Sequence, residues 1–205
     1  MKIFYIGVIR NQEKPALELC TEKELSTFNR FTRSSFSEFM TLFAKTVAER
    51  TRPGQRLDVS ENTSVFHSYS RSEGICGVII TDDEYPQLVA HQIISKVLDE
   101  FLASHPVASF RDLPASTSAS ATPPISWPLL KEYIIKYQDP AAADSIMKIQ
   151  KELAETKIVL HKTIESVLDR GEKIDSLVAK SDGLSSQSKM FYTQAKKQNS
   201  CCVLM

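Results

Sequence analysis

The chain has 205 residues, 42% of them hydrophobic and 24% charged, with 25 basic side chains against 25 acidic ones. That length holds one ordinary domain plus an extension, or two small domains. A formal net charge of zero excludes a protein built to bind nucleic acid by bulk electrostatics, and no run of roughly eighteen apolar residues exists to cross a bilayer as a helix.

"KIFYIGVI" is a continuous apolar run of strand length, and no small-residue cleavage site follows it, so no signal peptide is expected. "PALELC" is a weaker second strand. In "SSFSEFMTLFAKTVAER", Phe36, Phe39, Met40, Phe43 and Val47 share one face of a helix. Ser35 and Glu38 give an S-x-x-E capping box at its start, and Arg52-Pro53-Gly54 ends it. Two strands are expected next, the alternating "SVFHSYS" and the wholly apolar "GICGVIIT". "DDEYPQLVAHQIISKVLDEFL" reads as a second long helix with Pro86 in its first turn. Its buried stripe is Leu88, Val89, Ile93, Val97, Leu98, Phe101 and Leu102. Cys20 and Cys76 belong to no C-x-x-C pair and read as small core residues.

At about residue 111 the composition turns to Ser, Ala, Thr and Pro, which marks a linker over 111–128 after a first domain over 1–110. Leu130, Tyr133, Ile134 and Tyr137 then give a short amphipathic helix over 129–138, for which the first domain is the nearest surface. Over 140–200 the apolar period changes to alternating steps of three and four. The positions are Ile146, Ile149, Leu153, Thr156, Leu160, Thr163, Val167, Arg170, Ile174, Leu177, Ser181, Leu184, Ser188, Phe191, Ala195 and Gln198. A seam of about seven heptads is a coiled-coil signal. It is a weak one: Thr156, Thr163, Ser181 and Ser188 offer little apolar area, and Gly171 costs about 1 kcal/mol in a helix relative to Ala. Such a helix forms when partners cover it.

Arg170 sits mid-seam between Val167 and Ile174. A guanidinium stays charged and has five donors to satisfy, so partner helices must offer acceptors at the same level. A polar layer of that kind fixes register. The last seven residues, "NSCCVLM", match the C-a-a-X prenylation signal, with farnesyl expected on Cys202. Cys201 is placed for a second lipid, palmitoyl or a second prenyl such as geranylgeranyl, because one chain alone gives only marginal membrane binding.

"VLDRGEKIDSLV", with its arginine at the centre of a sixteen-position heptad array, resembles the SNARE motif of an R-SNARE of the synaptobrevin class. The region before it resembles a longin domain, with "DDEYPQLVAHQIISKVLDEF" similar to the start of that family's last helix. The tail resembles that of a lipid-anchored member. The resemblance implies an α+β fold: a profilin-like longin domain, with a central antiparallel sheet flanked by helices, followed by the SNARE segment. It implies Arg170 as the central layer, with Leu160, Val167, Ile174, Leu177, Leu184 and Phe191 as apolar layers, zippering with three Q-SNARE helices in membrane fusion. It also implies a closed form in which the SNARE segment and lipid fold onto the longin domain, and Phe39, Leu42 and Phe43 are candidates for that groove. The expected setting is the cytoplasm and the cytosolic face of Golgi, ER-derived vesicle, endosomal and vacuolar membranes. Covalent lipid apart, no cofactor is expected. The alternative is a prenylated coiled-coil tether or adaptor that never forms a fusogenic bundle, and a tether has no need of a central arginine.

Other classes fit less well. None of the glycines at 7, 54, 74, 77, 171 and 183 fits a phosphate-binding G-x-x-x-x-G-K-[ST] loop. Histidines 67, 91, 105 and 161 are scattered without ligand spacing, so no metal site and no enzyme is expected.

Overall fold

The β-branched and apolar runs of the first domain pair into one twisted sheet, β1 (Ile3–Arg10), β2 (Leu17–Lys23), β3 (Arg56–Glu61), β4 (Ser64–Ser70) and β5 (Ile75–Asp82). The computed structural model describes residues 1–114, 122–143 and 157–201. A sixth strand, β6 (Ile158–His161), completes the order β2-β1-β5-β4-β3-β6. The first five strands pair antiparallel, whereas β6 lies parallel to β3 with Ile158 opposite Arg56 and His161 opposite Val59. The expected α+β class holds, with the sheet mixed and not purely antiparallel.

Both faces of the sheet are covered. On one lie α2 (Gln87–Ser104) and α3 (Leu129–Lys136), packed over Ile3, Val8, Leu19, Ile75 and Ile79. Gly77 permits the close approach of α2, since a Cβ there would meet Ile94 Cγ2 at 2.7 Å. On the other face α1 (Arg33–Arg50) sets Met40, Ala44, Val47 and Ala48 against Tyr5, Leu57, Val59, Phe66 and Val78. The short helix α3 uses the surface its pattern required: Leu130, Tyr133, Ile134 and Tyr137 are all buried. The flanks of the linker are also tied down. Ile125 donates its amide to the Leu19 carbonyl at 2.9 Å, and Trp127 packs edge-on against Phe101.

Two sequence expectations are corrected, one strand went unread, and the heptad segment, expected to be helical under partner helices, takes another course here. β3 went unread because Arg56 and Asp58 look like loop residues, yet both point inward and are buried. Ser35 and Glu38 do not cap α1: the helix begins at Arg33 after Thr32, Ser35 is buried within it, and Glu38 accepts the Ser185 amide at 2.8 Å. Leu88 is half exposed and off the buried stripe of α2, whose inner face takes His91 and Gln92 instead. Finally, residues 157–201 do not form one continuous helix. They run as β6, a 3-10 turn at Ile164–Val167, α4 (Ile174–Lys180) and α5 (Ser186–Cys201). The breaks fall where helix propensity is lowest: β-branched Ile158 and Val159, Gly171 at φ +91°, and the Ser181-Asp182-Gly183 run.

Candidate functional site

The α1 face of the sheet is where the heptad segment comes to rest. β6 extends the edge beside β3, and Ile164 and Val167 then enter the apolar cluster of Val47, Leu57 and Val59. The Glu61 carboxylate accepts the Ile164 amide at 2.9 Å. Beyond Gly171, Val178 and Leu184 are buried in one cluster with Phe39, while Ile174, Phe191 and Tyr192 pack around them. Phe191 lies 5.7 Å from Phe36 and 6.5 Å from Phe39, ring centre to ring centre.

The layer residues therefore divide. Val167, Ile174, Leu184 and Phe191 meet the first domain, Leu177 lies half-buried in a hollow beside α1, and Leu160 points to solvent from β6. Arg170 is exposed, while its neighbours Asp169 and Glu172 bridge Arg50 at the end of α1 at 3.1 and 2.8 Å. The candidate groove residues are covered unequally: Phe39 is buried, Phe43 stacks on Phe39 and meets Phe66 edge-on, and Leu42 lines the Leu177 hollow. Ile146, Ile149, Leu153, Thr156 and Cys202 lie outside the described residues. Cys201 closes α5.

Three contact residues escaped the sequence reading: Ile164, Val178 and Tyr192. Each stands one place after a seam position, Thr163, Leu177 and Phe191. The signal was there, since an apolar residue beside a seam position widens the stripe to two faces.

Between α1, the sheet and α5 lies an apolar cavity of about 710 Å³, walled by Phe28, Phe36, Phe39, Met40, Phe43, Phe66, Ile80, Ile174, Phe191 and Tyr192. At its rim Asp175 accepts from Tyr192 Oη at 2.8 Å and pairs with Lys196. Hydrogen bonds from Lys196 and Tyr192 hold the Asp175 carboxyl below the usual range. Burial, with Asp175 nearby, pushes the Tyr192 hydroxyl up to about 12. No helix among the described residues is long and apolar enough to cross a membrane.

The first domain thus covers part of the heptad segment that follows it, and comparison with known proteins names the family. The longin family model, described as a regulated-SNARE-like domain, matches residues 25–134, and the synaptobrevin model matches 145–203. The chain belongs to the synaptobrevin family of R-SNAREs, in its longin-bearing branch, a non-enzymatic class of vesicle-trafficking proteins. Within it the resemblance is to the Ykt6 type: 56% identity to the synaptobrevin homolog YKT6 of Eremothecium gossypii and 55% to that of Saccharomyces cerevisiae, each over 205 residues and the whole of both chains. The VAMP-like protein YKT61 of Arabidopsis thaliana is 48% identical over 187 residues, 91% of this chain and 90% of that one.

Proposed function

We propose that this conformation is the resting, autoinhibited state of a lipid-anchored R-SNARE. Val167, Ile174, Leu184 and Phe191 cannot face the longin domain and partner helices at once, and that conflict carries the reading. Release of the segment lets it zipper with three Q-SNARE helices, Arg170 setting the register, and the energy of zippering draws vesicle and target bilayers together. A farnesyl on Cys202 and a second lipid on Cys201 hold the chain to cytosolic membrane faces. The 710 Å³ cavity supports a resting place for one such chain, being apolar and within the roughly 300–1,000 Å³ range of ligand pockets. The steps served are those between ER and Golgi and those to endosomes and the vacuole.

The test is to mix the full chain with the three Q-type helices of one complex, following helicity by circular dichroism and size by gel filtration. The wild type should gain helix in a stoichiometric complex, Phe39→Ala should assemble faster, and Arg170→Asp should fail. If Arg170→Asp assembles like wild type, or no complex forms, the chain is a tether and the fusion reading is wrong.

A further inference from the structure

On the opposite face of the sheet, three side chains that are remote in sequence meet in the interior. Asp58 (β3), His67 (β4) and His91 (α2) are each at least 96% buried, and their ligand atoms lie within 4.8 Å of one another. One oxygen, Asp58 Oδ1, faces His67 Nδ1 at 2.9 Å and His91 Nε2 at 2.7 Å. The other oxygen, Oδ2, accepts from Gln87 Nε2 at 2.6 Å.

The convergence is the informative part. The Thr81 hydroxyl lies 2.8 Å from the Asp82 carbonyl and 3.1 Å from His67 Nε2, and the second contact turns the His67 ring so that Nδ1 faces Asp58. Two ring nitrogens from different elements thus meet one carboxylate oxygen in the interior, and a ring nitrogen that gives up its proton there becomes a ligand.

We propose that Asp58 Oδ1, His67 Nδ1 and His91 Nε2 form a binding site for a divalent transition-metal ion of the zinc class. Two imidazoles and one carboxylate are the donor set that zinc prefers over the all-oxygen cages of calcium and magnesium. The outer contacts suit ligation: Thr81 fixes the His67 ring with Nδ1 inward, and Gln87 steadies the carboxylate. His91 Nδ1 is buried without a partner and is free to take the ring proton when Nε2 takes the metal, but the N–H so formed would lack an acceptor and would cost part of the binding energy. With zinc bonds of about 2.0–2.2 Å, tetrahedral ligands stand roughly 3.3 Å apart. Opening the 2.7 and 2.9 Å contacts by about half an ångström is within the reach of side-chain rotation. Three protein ligands fill three of the four tetrahedral positions. Arg56, which donates to the His91 carbonyl at 3.2 Å, adds a nearby positive charge and so sets an upper limit on affinity.

The experiment uses full-length, tag-free protein stripped with chelator, titrated with zinc by calorimetry and with cobalt(II) by visible absorption. Cys201→Ser/Cys202→Ser protein is run in parallel, because the terminal thiols also bind zinc. One equivalent should bind to the cysteine-free variant, with a cobalt spectrum of tetrahedral nitrogen and oxygen ligands, and the wild type should bind at least that equivalent. Affinity should fall at least tenfold in Asp58→Asn and in His91→Phe, and should be unchanged in His105→Gln. Ring-nitrogen NMR of the wild type guards against variants that fail to fold, since His67 and His91 signals should shift on zinc addition and those of His105 and His161 should not. Zinc uptake that vanishes with the terminal cysteines, or that survives Asp58→Asn, overturns the proposal and leaves the three side chains as a hydrogen-bonded cluster.

Discussion

The Arg50 guanidinium donates to the Glu172 carboxylate at 2.8 Å, joining the C-terminal end of α1 to the residue two places beyond Arg170. Asp169, on the other side of Arg170, lies 3.1 Å from the same Arg50 nitrogen. The acidic neighbours of Arg170 are thus held by the first domain while Arg170 itself is left in solvent. Both carboxylates are well exposed, so the contact is weak and open to screening by salt. Arg50→Glu replaces attraction by repulsion and should raise the rate of assembly with Q-SNARE helices several-fold at low salt. Raising wild-type protein to about 1 M salt should produce part of the same acceleration by screening. Equal rates for wild type and variant at low salt would show that the bridge does not restrain the segment.

Val178 and Leu177 offer a way to separate resting from assembled state. Val178 is 3% exposed in the cluster with Phe39, whereas Leu177 is half-buried here and is a layer position in the heptad register. Val178→Ser should loosen the closed form by about 1–2 kcal/mol and speed assembly. Leu177→Ser should do less to the closed form and should weaken the assembled bundle. Thermal melts of the finished complex distinguish them: the Leu177 variant melts lower, and the Val178 variant melts as wild type.

Gly171 sits at φ +91° with no atom within 4 Å of an added Cβ, so a substitution there meets no clash and is felt through the backbone alone. Gly171→Ala should disfavour the turn by about 1–2 kcal/mol and favour a continuous helix by about 1 kcal/mol. Both effects push toward the open, helical state, and together they should shift the balance roughly thirtyfold or more. Circular dichroism of the isolated variant should show more helix than the wild type, and a matched spectrum would refute the hinge.

The buried histidine cluster makes stability depend on pH in metal-free protein. Burial lowers the His91 pKa, and the hydrogen bond to Asp58 only partly offsets it. Burial raises the Asp58 pKa, but hydrogen bonds from His67 and His91 outweigh that and hold it well below the usual carboxylate range. In both cases the unfolded chain binds the proton more readily, so stability falls as pH drops: from about 6.5 downward for His91 and from about 3.9 downward for Asp58. Urea unfolding should have a lower midpoint at pH 5.5 than at pH 7.5, and His91→Phe should flatten that difference. A midpoint that rises on acidification would reverse the sign argued here.

Most of the first domain was legible because its signals are local. The alternation of Val65 to Ser70, the apolar run at Ile75 to Thr81 and the periodic faces of α1 and α2 each specify an element without reference to the rest of the chain. β3 was not legible, because its inward side chains Arg56 and Asp58 are satisfied by residues of α2 more than thirty positions away. The heptad region was read for the partner-bound helix its period describes. Its broken course here follows from a weak seam meeting a surface, the aromatic face of α1, whose reach across more than a hundred residues no window of sequence contains. His67 and His91, scattered in sequence, converge for the same reason.

The pairing of β6 with β3 has a consequence for the return journey. A segment that leaves to zipper takes its backbone with it, and the outer edge of β3 loses the partner amides and carbonyls that Ile158 to His161 supplied. The vacated edge is a template for any short extended peptide, and the tethered segment is the strand held at the highest local concentration. On the proposed reading, a disassembled chain would carry its own address for refolding, because the sheet edge it uncovered would select the strand that belongs there.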